Sequence, residues 1–277
     1  MNGRPLVTIV TPTLNQVEFL ESTLRSVVTQ SYCSLEYIII DGGSTDGSLE
    51  IIKSYAERYP CITWLSEKDA GQSDAITKGF GMANGTLLAW INSDDLYEPD
   101  AVYRIVDHFI KNPDIGMVYG DAWIIDNQGD RLKKYEFTRD FDVWSLVHIW
   151  DYIVQPAVFF RRATLENVGG VDPALNWCMD WDLWIRMARV TKTAYLPLCL
   201  ACSREYRNTK TSTGGAQRLA EIRRLMMKYS ENRYFPPRGY WIYYFDTISR
   251  SLEDGFISRV FKMMTVHPLI RFLVGKP

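Results

Sequence analysis

The 277-residue chain contains no apolar run long enough to cross a bilayer, and its first residues, Met1 to Pro5, carry no secretory h-region. These absences predict a cytoplasmic location. A formal net charge of only -2 leaves no basic field of the kind that nonspecific nucleic-acid binders need. Cysteine is scarce and odd in number: Cys33, Cys61, Cys178, Cys199 and Cys202 are scattered along the chain. That pattern fits a reducing compartment better than a disulfide framework. Cys199 and Cys202 form a lone C-x-x-C inside an apolar stretch, which reads as buried strand rather than zinc or redox chemistry. The histidines, His108, His148 and His267, show no paired spacing and receive no chemistry. Neither G-x-G-x-x-G nor G-x-x-x-x-G-K-[ST] occurs, which argues against dinucleotide and P-loop sites. Internal repeats and low-complexity segments are also missing.

What is present is an alternation of periods. Apolar, β-rich runs at 6–10, 35–40, 61–65 and 86–91 predict buried strands. Between them, 17–30, 46–59, 72–83 and 99–111 carry helical spacing, with Asp46 placed as a first-turn or capping residue of the second. Such alternation predicts an α/β fold with a parallel sheet, whose ligand crevice lies outside the strands' C-terminal ends. The polar residues ending the strands, Thr11, Asp41, Glu67 to Asp69 and Asn92 to Asp95, should therefore converge. After Gly116 the alternation weakens. Residues 117–125 and 131–137 read as a hairpin around Asn127-Gln128-Gly129-Asp130, and 158–160 as a strand rejoining the sheet. Helical periods follow at 180–189 and 216–229.

Two segments carry most of the chemistry. Ile91-Asn92-Ser93-Asp94-Asp95-Leu96-Tyr97-Glu98-Pro99 delivers adjacent carboxylates to a strand end, as a magnesium or manganese site working on phosphates requires. The competing reading is that Asp94 and Asp95 cap the helix after Pro99. Asp41-Gly42-Gly43-Ser44-Thr45-Asp46-Gly47 also follows a buried strand. A carboxylate there can accept the N–H of a uracil-like base, although a glycine-rich strand-to-helix turn needs no ligand to explain it.

Together with Thr11-Pro12-Thr13-Leu14-Asn15, these segments resemble the glycosyltransferase family 2 pattern on the GT-A fold, a mostly parallel central sheet flanked by helices. The resemblance extends over roughly 5–211. It includes Glu67 to Gly79, Gln155 to Phe160, Gly169-Gly170-Val171-Asp172 and Met179-Asp180-Trp181-Asp182-Leu183-Trp184. It implies a catalytic domain over 1–212, with a nucleotide-binding part over about 1–115 and an acceptor part over about 116–212. A helical C-terminal extension would follow over 213–277.

By position, the resemblance implies that Thr11, Pro12 and Asn15 line the nucleotide and that Asp41 reads the base. Asp69, Gly71 and Gln72 would close the base and ribose pocket, Lys78 would approach the phosphates, and Ser93 would stand near ribose. Asp94 matches the family's aspartate for Mn2+ or Mg2+, and Asp180 matches its catalytic base. Read alone, Asp180 and Asp182 are better explained by the dipole of the helix they open, and only the resemblance favours Asp180 as base. Asp95, Trp181, Trp184 and Gln155 are candidates to contact sugar or acceptor, with burial in the core as the alternative for the tryptophans. Three positions depart from the pattern. Asn92 stands where D-x-D begins, Met179 where glutamate often precedes the base, and Tyr206 where R-x-H-x-x-S-K-T has histidine. Fewer charged ligands imply weaker metal binding.

The implied activity is inverting transfer of a sugar from a nucleotide sugar, usually a UDP-sugar, to a hydroxyl of a glycan or lipid-linked acceptor. Cell-surface polysaccharide or glycolipid synthesis is the setting this suggests. A noncatalytic nucleotide-sugar-binding relative and a sugar nucleotidyltransferase are the alternatives. The latter's glycine-rich, basic N-terminal loop is absent. The tail at 256–274 mixes apolar with basic residues, predicting either a segment lying on the membrane or helices packed on protein.

Overall fold

The structure is a computed structural model that describes residues 4–207, 209–231 and 234–251, the last three by backbone only. The tail at 256–274, with its proposed membrane contact, lies outside the described residues. In chain order the first elements are β1 (Val7–Thr13), α1 (Val17–Val28), β2 (Leu35–Asp41), α2 (Ser48–Arg58), β3 (Ile62–Ser66) and α3 (Gln72–Met82). Next come β4 (Leu87–Trp90), β5 (Leu96–Tyr97), α4 (Ala101–Lys111), β6 (Ile115–Ile125), β7 (Arg131–Lys134) and α5 (Val143–His148). The remainder are β8 (Val158–Arg161), α6 (Arg162–Asn167), α7 (Met179–Ala188), β9 (Lys192–Arg204), α8 (Lys210–Thr213), α9 (Gly215–Ser230) and α10 (Tyr240–Ser251). Among the described residues, no helix is long and apolar enough to cross a membrane.

The chain forms two compact units that interleave along the sequence. The first, drawn from 4–141, 153–174 and 186–205, holds the whole sheet, with strand order β3-β2-β1-β4-β8-β6-β9-β5 and β7 paired to β6. The β1–β2, β2–β3, β1–β4 and β6–β9 pairings are parallel, and β8 runs antiparallel between β4 and β6. Parallel neighbours need long crossovers, and α1, α2 and α3 supply them for the first four strands. Register sets the consequence: Thr13 lies opposite Asp41, Asp41 opposite Ser66, and Val10 opposite Trp90. The C-terminal ends of β1 to β4 thus reach one edge together, as the alternation predicts.

Periodicity explains the packing. Phe19, Leu20, Leu24 and Val27 form the buried stripe of α1, and Val102, Ile105, Val106 and Phe109 that of α4. Trp90, fully covered at the end of β4, meets Phe80 and Phe160 edge-on, with ring centroids 6.1 and 6.2 Å away. Truncating such a ring removes apolar contact and leaves a void the neighbours only partly fill. Trp90→Ala should cost about 3–5 kcal/mol in denaturant unfolding; a loss under about 1 kcal/mol would contradict this packing.

Two local readings change. Neither Asp94 nor Asp95 caps the helix after Pro99, because α4 starts at Ala101 with Asp100 before it at φ +61°. Both lie instead in the turn joining β4 to β5, a strand too short to show a period, which pairs with Ala201 and Cys202 of β9. The C-x-x-C stretch is strand, as read, and both its cysteines are free thiols.

The second unit, drawn from 142–152, 175–185 and the described part of 206–251, is helical. Asp142 caps α5 by accepting the amides of Trp144 and Ser145. In α9, Ile222, Leu225, Met226 and Tyr229 are buried at helical spacing, and Glu221 is buried beside them.

Candidate active site

The loop after β2 is organised by its own carboxylate. Asp41 is buried, and its oxygens accept the hydroxyls of Ser44 and Ser66 at 2.5 and 2.6 Å and the amides of Gly43 and Ser44 at 3.2 and 3.1 Å. A base N–H could reach this carboxylate only if one hydroxyl turned away. Asp69 is the more open group. Its Oδ1 accepts the Gly71 amide at 2.9 Å, and its Oδ2 lies 2.8 Å from where a Cβ on Gly42 would stand. Only glycine permits that approach.

The neighbouring segments knit together at the same edge. Asn15, at φ +51°, accepts the Thr45 amide through its side chain at 2.8 Å and donates its own amide to Ser44 Oγ at 2.8 Å. Thr11 is fully buried with its hydroxyl 2.9 Å from Tyr37 Oη, and Pro12 is buried beside it. Thr13 was not singled out from sequence, yet its hydroxyl is buried with no partner among the described residues, at the strand end facing Asp41. Gln72 donates to the Asn92 amide oxygen at 2.7 Å, which ties the start of α3 to the turn after β4. Lys78 is held between Glu67 and Asp74, at 2.8 and 3.2 Å, so its charge is matched by protein carboxylates.

The two aspartates after β4 have different environments. Asp95 is buried, accepting the Arg204 amide at 2.9 Å and the Asn92 side chain at 3.3 Å. Burial raises its proton affinity, and the adjacent Asp94 charge adds to this. Asp94 is half-buried, and Ser93 beside it is buried. Arg204 secures the turn by donating to the Asp94 carbonyl at 2.8 Å and to the carbonyls of Asp126 and Asn127 at 2.6 and 2.8 Å. It thereby joins the aspartate turn to the β6–β7 hairpin.

Among the described residues, no group of three or more His, Cys, Asp or Glu side chains is arranged to hold a metal. Asp94 is a single carboxylate here, so a cation at this turn would need its remaining oxygens from phosphate and water. Gln155 is buried, donating its amide to the Trp90 carbonyl at 2.8 Å. That bond directs its Oε1 elsewhere, and Oε1 has no partner among the described residues. An orphan acceptor of this kind fits a ligand hydroxyl.

In the second unit, Asp180 lies in the first turn of α7, half-buried, with Oδ1 accepting the Trp181 amide at 2.8 Å. Its Oδ2 accepts no bond from another described residue. Burial raises its proton affinity, and the Trp181 amide and the charges of Lys210 and Arg218 moderate the shift. Asp182 is buried and bonded to Lys228 and Tyr229 at 3.0 and 2.5 Å, which makes it structural. Trp181 is 3% exposed with its indole N–H donated to Leu146, and Trp184 is 0% exposed. Both rings pack in the interior, so sugar stacking is not what they do here. Arg204 and Lys210 lie in the segment that resembles R-x-H-x-x-S-K-T, where the sequence reading weighs only Tyr206. Their roles required knowing what stands opposite them.

Residues 8–166 match the model of the family described as "Glycosyl transferase family 2". A PGL/p-HBAD biosynthesis glycosyltransferase from Mycobacterium bovis (strain BCG / Pasteur 1173P2) is 30% identical over 184 residues, covering 66% of this chain and 69% of that protein. The O-antigen biosynthesis protein RfbC of Myxococcus xanthus is 30% identical over 198 residues, which are 70% of this chain but only 15% of RfbC. Among solved structures, the mannosyltransferase PcManGT from Pyrobaculum calidifontis, in complex with GDP-Man and Mn2+, aligns with TM-score 0.65 and 15% identity. That alignment covers 98% of this chain and 81% of PcManGT. S. aureus TarS in complex with UDP-GlcNAc aligns with TM-score 0.65 and 14% identity, over 96% of this chain and 81% of that one. At such identities the structural likeness speaks for the fold alone. With the sheet edge described above and a family match over more than half of its length, this chain belongs to glycosyltransferase family 2 and has the GT-A fold.

Proposed function

We propose that this glycosyltransferase moves a sugar, with inversion, from a nucleotide sugar to a hydroxyl of a glycan or lipid-linked acceptor, UDP-sugars being the preferred donors. The observation that supports this reading is Asp180, with Oδ1 anchored by the Trp181 amide and no bond from another described residue to Oδ2. Its raised proton affinity suits a general base better than an ordinary surface carboxylate would. Asp180 takes the proton of the acceptor hydroxyl as that oxygen bonds to the anomeric carbon. The bond from that carbon to the diphosphate oxygen breaks, and the nucleoside diphosphate leaves with the electron pair. A divalent cation held by Asp94 would offset the charge that develops on the departing diphosphate.

Asp69, Gly71 and Gln72 serve the base and ribose, and Asn15, Thr11 and Pro12 support the nucleotide. Gln155 Oε1 accepts a sugar hydroxyl. Relatives named for O-antigen and PGL/p-HBAD biosynthesis support a cell-surface glycan or glycolipid as the acceptor. The test is release of nucleoside diphosphate from a panel of UDP-, GDP- and dTDP-sugars, with Mn2+ and both free and lipid-linked glycan acceptors. Acceptor-dependent turnover, fastest with a UDP-sugar, is expected. Donor binding without release under any combination would overturn the reading.

A further inference from the structure

The buried carboxylate of Glu221 sits on α9, beyond the stretch that matches the family model, and the proposed chemistry does not use it. Glu221 is 3% exposed. Its Oε1 accepts the amides of Trp177 and Cys178 at 2.6 and 2.7 Å, and both its oxygens accept the Asn176 amide, at 3.1 and 3.0 Å. Three consecutive backbone N–H groups therefore converge on one carboxylate directly before α7. The Cys178 amide is one of the first amides that a helix start leaves without an intrahelical acceptor, and the other two belong to the segment leading into it.

The geometry has a second support. Gly214, where α9 begins, lies so close to Trp177 that an added Cβ would stand 2.6 Å from the indole nitrogen. The segment 176–178 is therefore gripped by α9 at two points. The Cys178 carbonyl in turn accepts the Asp182 amide at 2.9 Å, closing the helical turn that carries Asp180. Lys210 feels the charges of both Asp180 and Glu221, which places all three in one electrostatic neighbourhood.

We propose that Glu221 is a positioning residue for Asp180: by holding the amides of 176–178 it sets the start of α7 and thus where the base stands relative to the acceptor. This rests on the reading of Asp180 as base. Glutamine at this position loses the charge and, with its oxygen in the place of Oε1, turns an NH2 group toward the Asn176 amide, itself a donor.

The experiment compares wild type, Asp180→Asn, Glu221→Gln, Glu221→Asp and the double variant Asp180→Asn/Glu221→Gln. The probe is the nucleotide sugar from the panel that the wild type turns over fastest, with rates expressed per donor-binding-competent molecule. Glu221→Gln should lower kcat by about 10²-fold, the scale of a displacement near 1 Å, with donor KM and donor affinity within about twofold of wild type. The double variant should be no slower than Asp180→Asn alone, because both substitutions act through one group. Glu221→Asp, which keeps the charge but shortens its reach, should fall between wild type and Glu221→Gln.

A Glu221→Gln enzyme with wild-type kcat beside an inactive Asp180→Asn would overturn the positioning role and leave the base intact. So would a double variant slower than Asp180→Asn by the full Glu221→Gln factor. A fully active Asp180→Asn would sink the base reading, and the anchor with it. Where Glu221→Gln does not fold, Glu221→Asp decides. Reduced kcat at unchanged donor KM supports the role, and wild-type kcat refutes it.

Discussion

Asp180→Asn is expected to lower kcat by about 10²- to 10⁴-fold, the usual contribution of a positioned general base, while donor affinity stays close to wild type. The substitution keeps the shape of the side chain and still lets its amide oxygen accept the Trp181 N–H, so α7 should start where it does now. What it removes is the oxygen able to take a proton. The pH dependence supplies an independent check. Burial raises the Asp180 proton affinity, and the Trp181 amide, Lys210 and Arg218 only moderate that rise. A base works deprotonated, so kcat should fall as pH drops through its pKa. The acid limb should lie above the ordinary carboxylate range and disappear in Asp180→Asn. An acid limb that survives the substitution, or turnover within tenfold of wild type, would show that the proton goes elsewhere.

The second large effect is expected at Asp94. Asp94→Asn should reduce kcat/KM by on the order of 10²–10³-fold, the scale seen when a group stabilising charge in the transition state is removed. Activity should also require far more Mn2+ to recover. Asp95→Asn provides the contrast, because Asp95 is buried and already accepts bonds from Arg204 and Asn92. Its loss should appear as roughly 1–3 kcal/mol of stability, with the Mn2+ requirement of the remaining folded enzyme unchanged. If the two variants shift the Mn2+ titration equally, the division of labour between these neighbours is wrong.

Much of the first unit was legible because its elements are long and strongly periodic. The 3.6-residue stripe of α1 and the β-branched runs of β1 and β2 bury one continuous surface each. What escaped notice was short or non-local. The two residues of β5 have no period of their own and exist because β9 supplies their partner, about a hundred residues later. Arg204 looks like an ordinary strand-end arginine until the carbonyls of Asp94, Asp126 and Asn127 are found around its guanidinium. Glu221 looks like a polar residue on an amphipathic helix; only folding reveals the amides it serves.

The amino-acid order alone determined the alternation of strands and helices and which polar residues end the strands. Because parallel strands with helical crossovers must finish at one edge, it also determined that Asp41 and the Asn92–Asp95 turn would reach that edge; β1 runs on to Thr13, so Thr11 lies within the strand instead. Tertiary structure decided which carboxylates remain available. Asp41 and Asp95 are consumed by hydrogen bonds from neighbouring loops, whereas Asp69 and Asp180 each keep an oxygen that no other described residue bonds. A carboxylate's availability depends on burial and on donors contributed by distant segments, and local sequence carries no record of either.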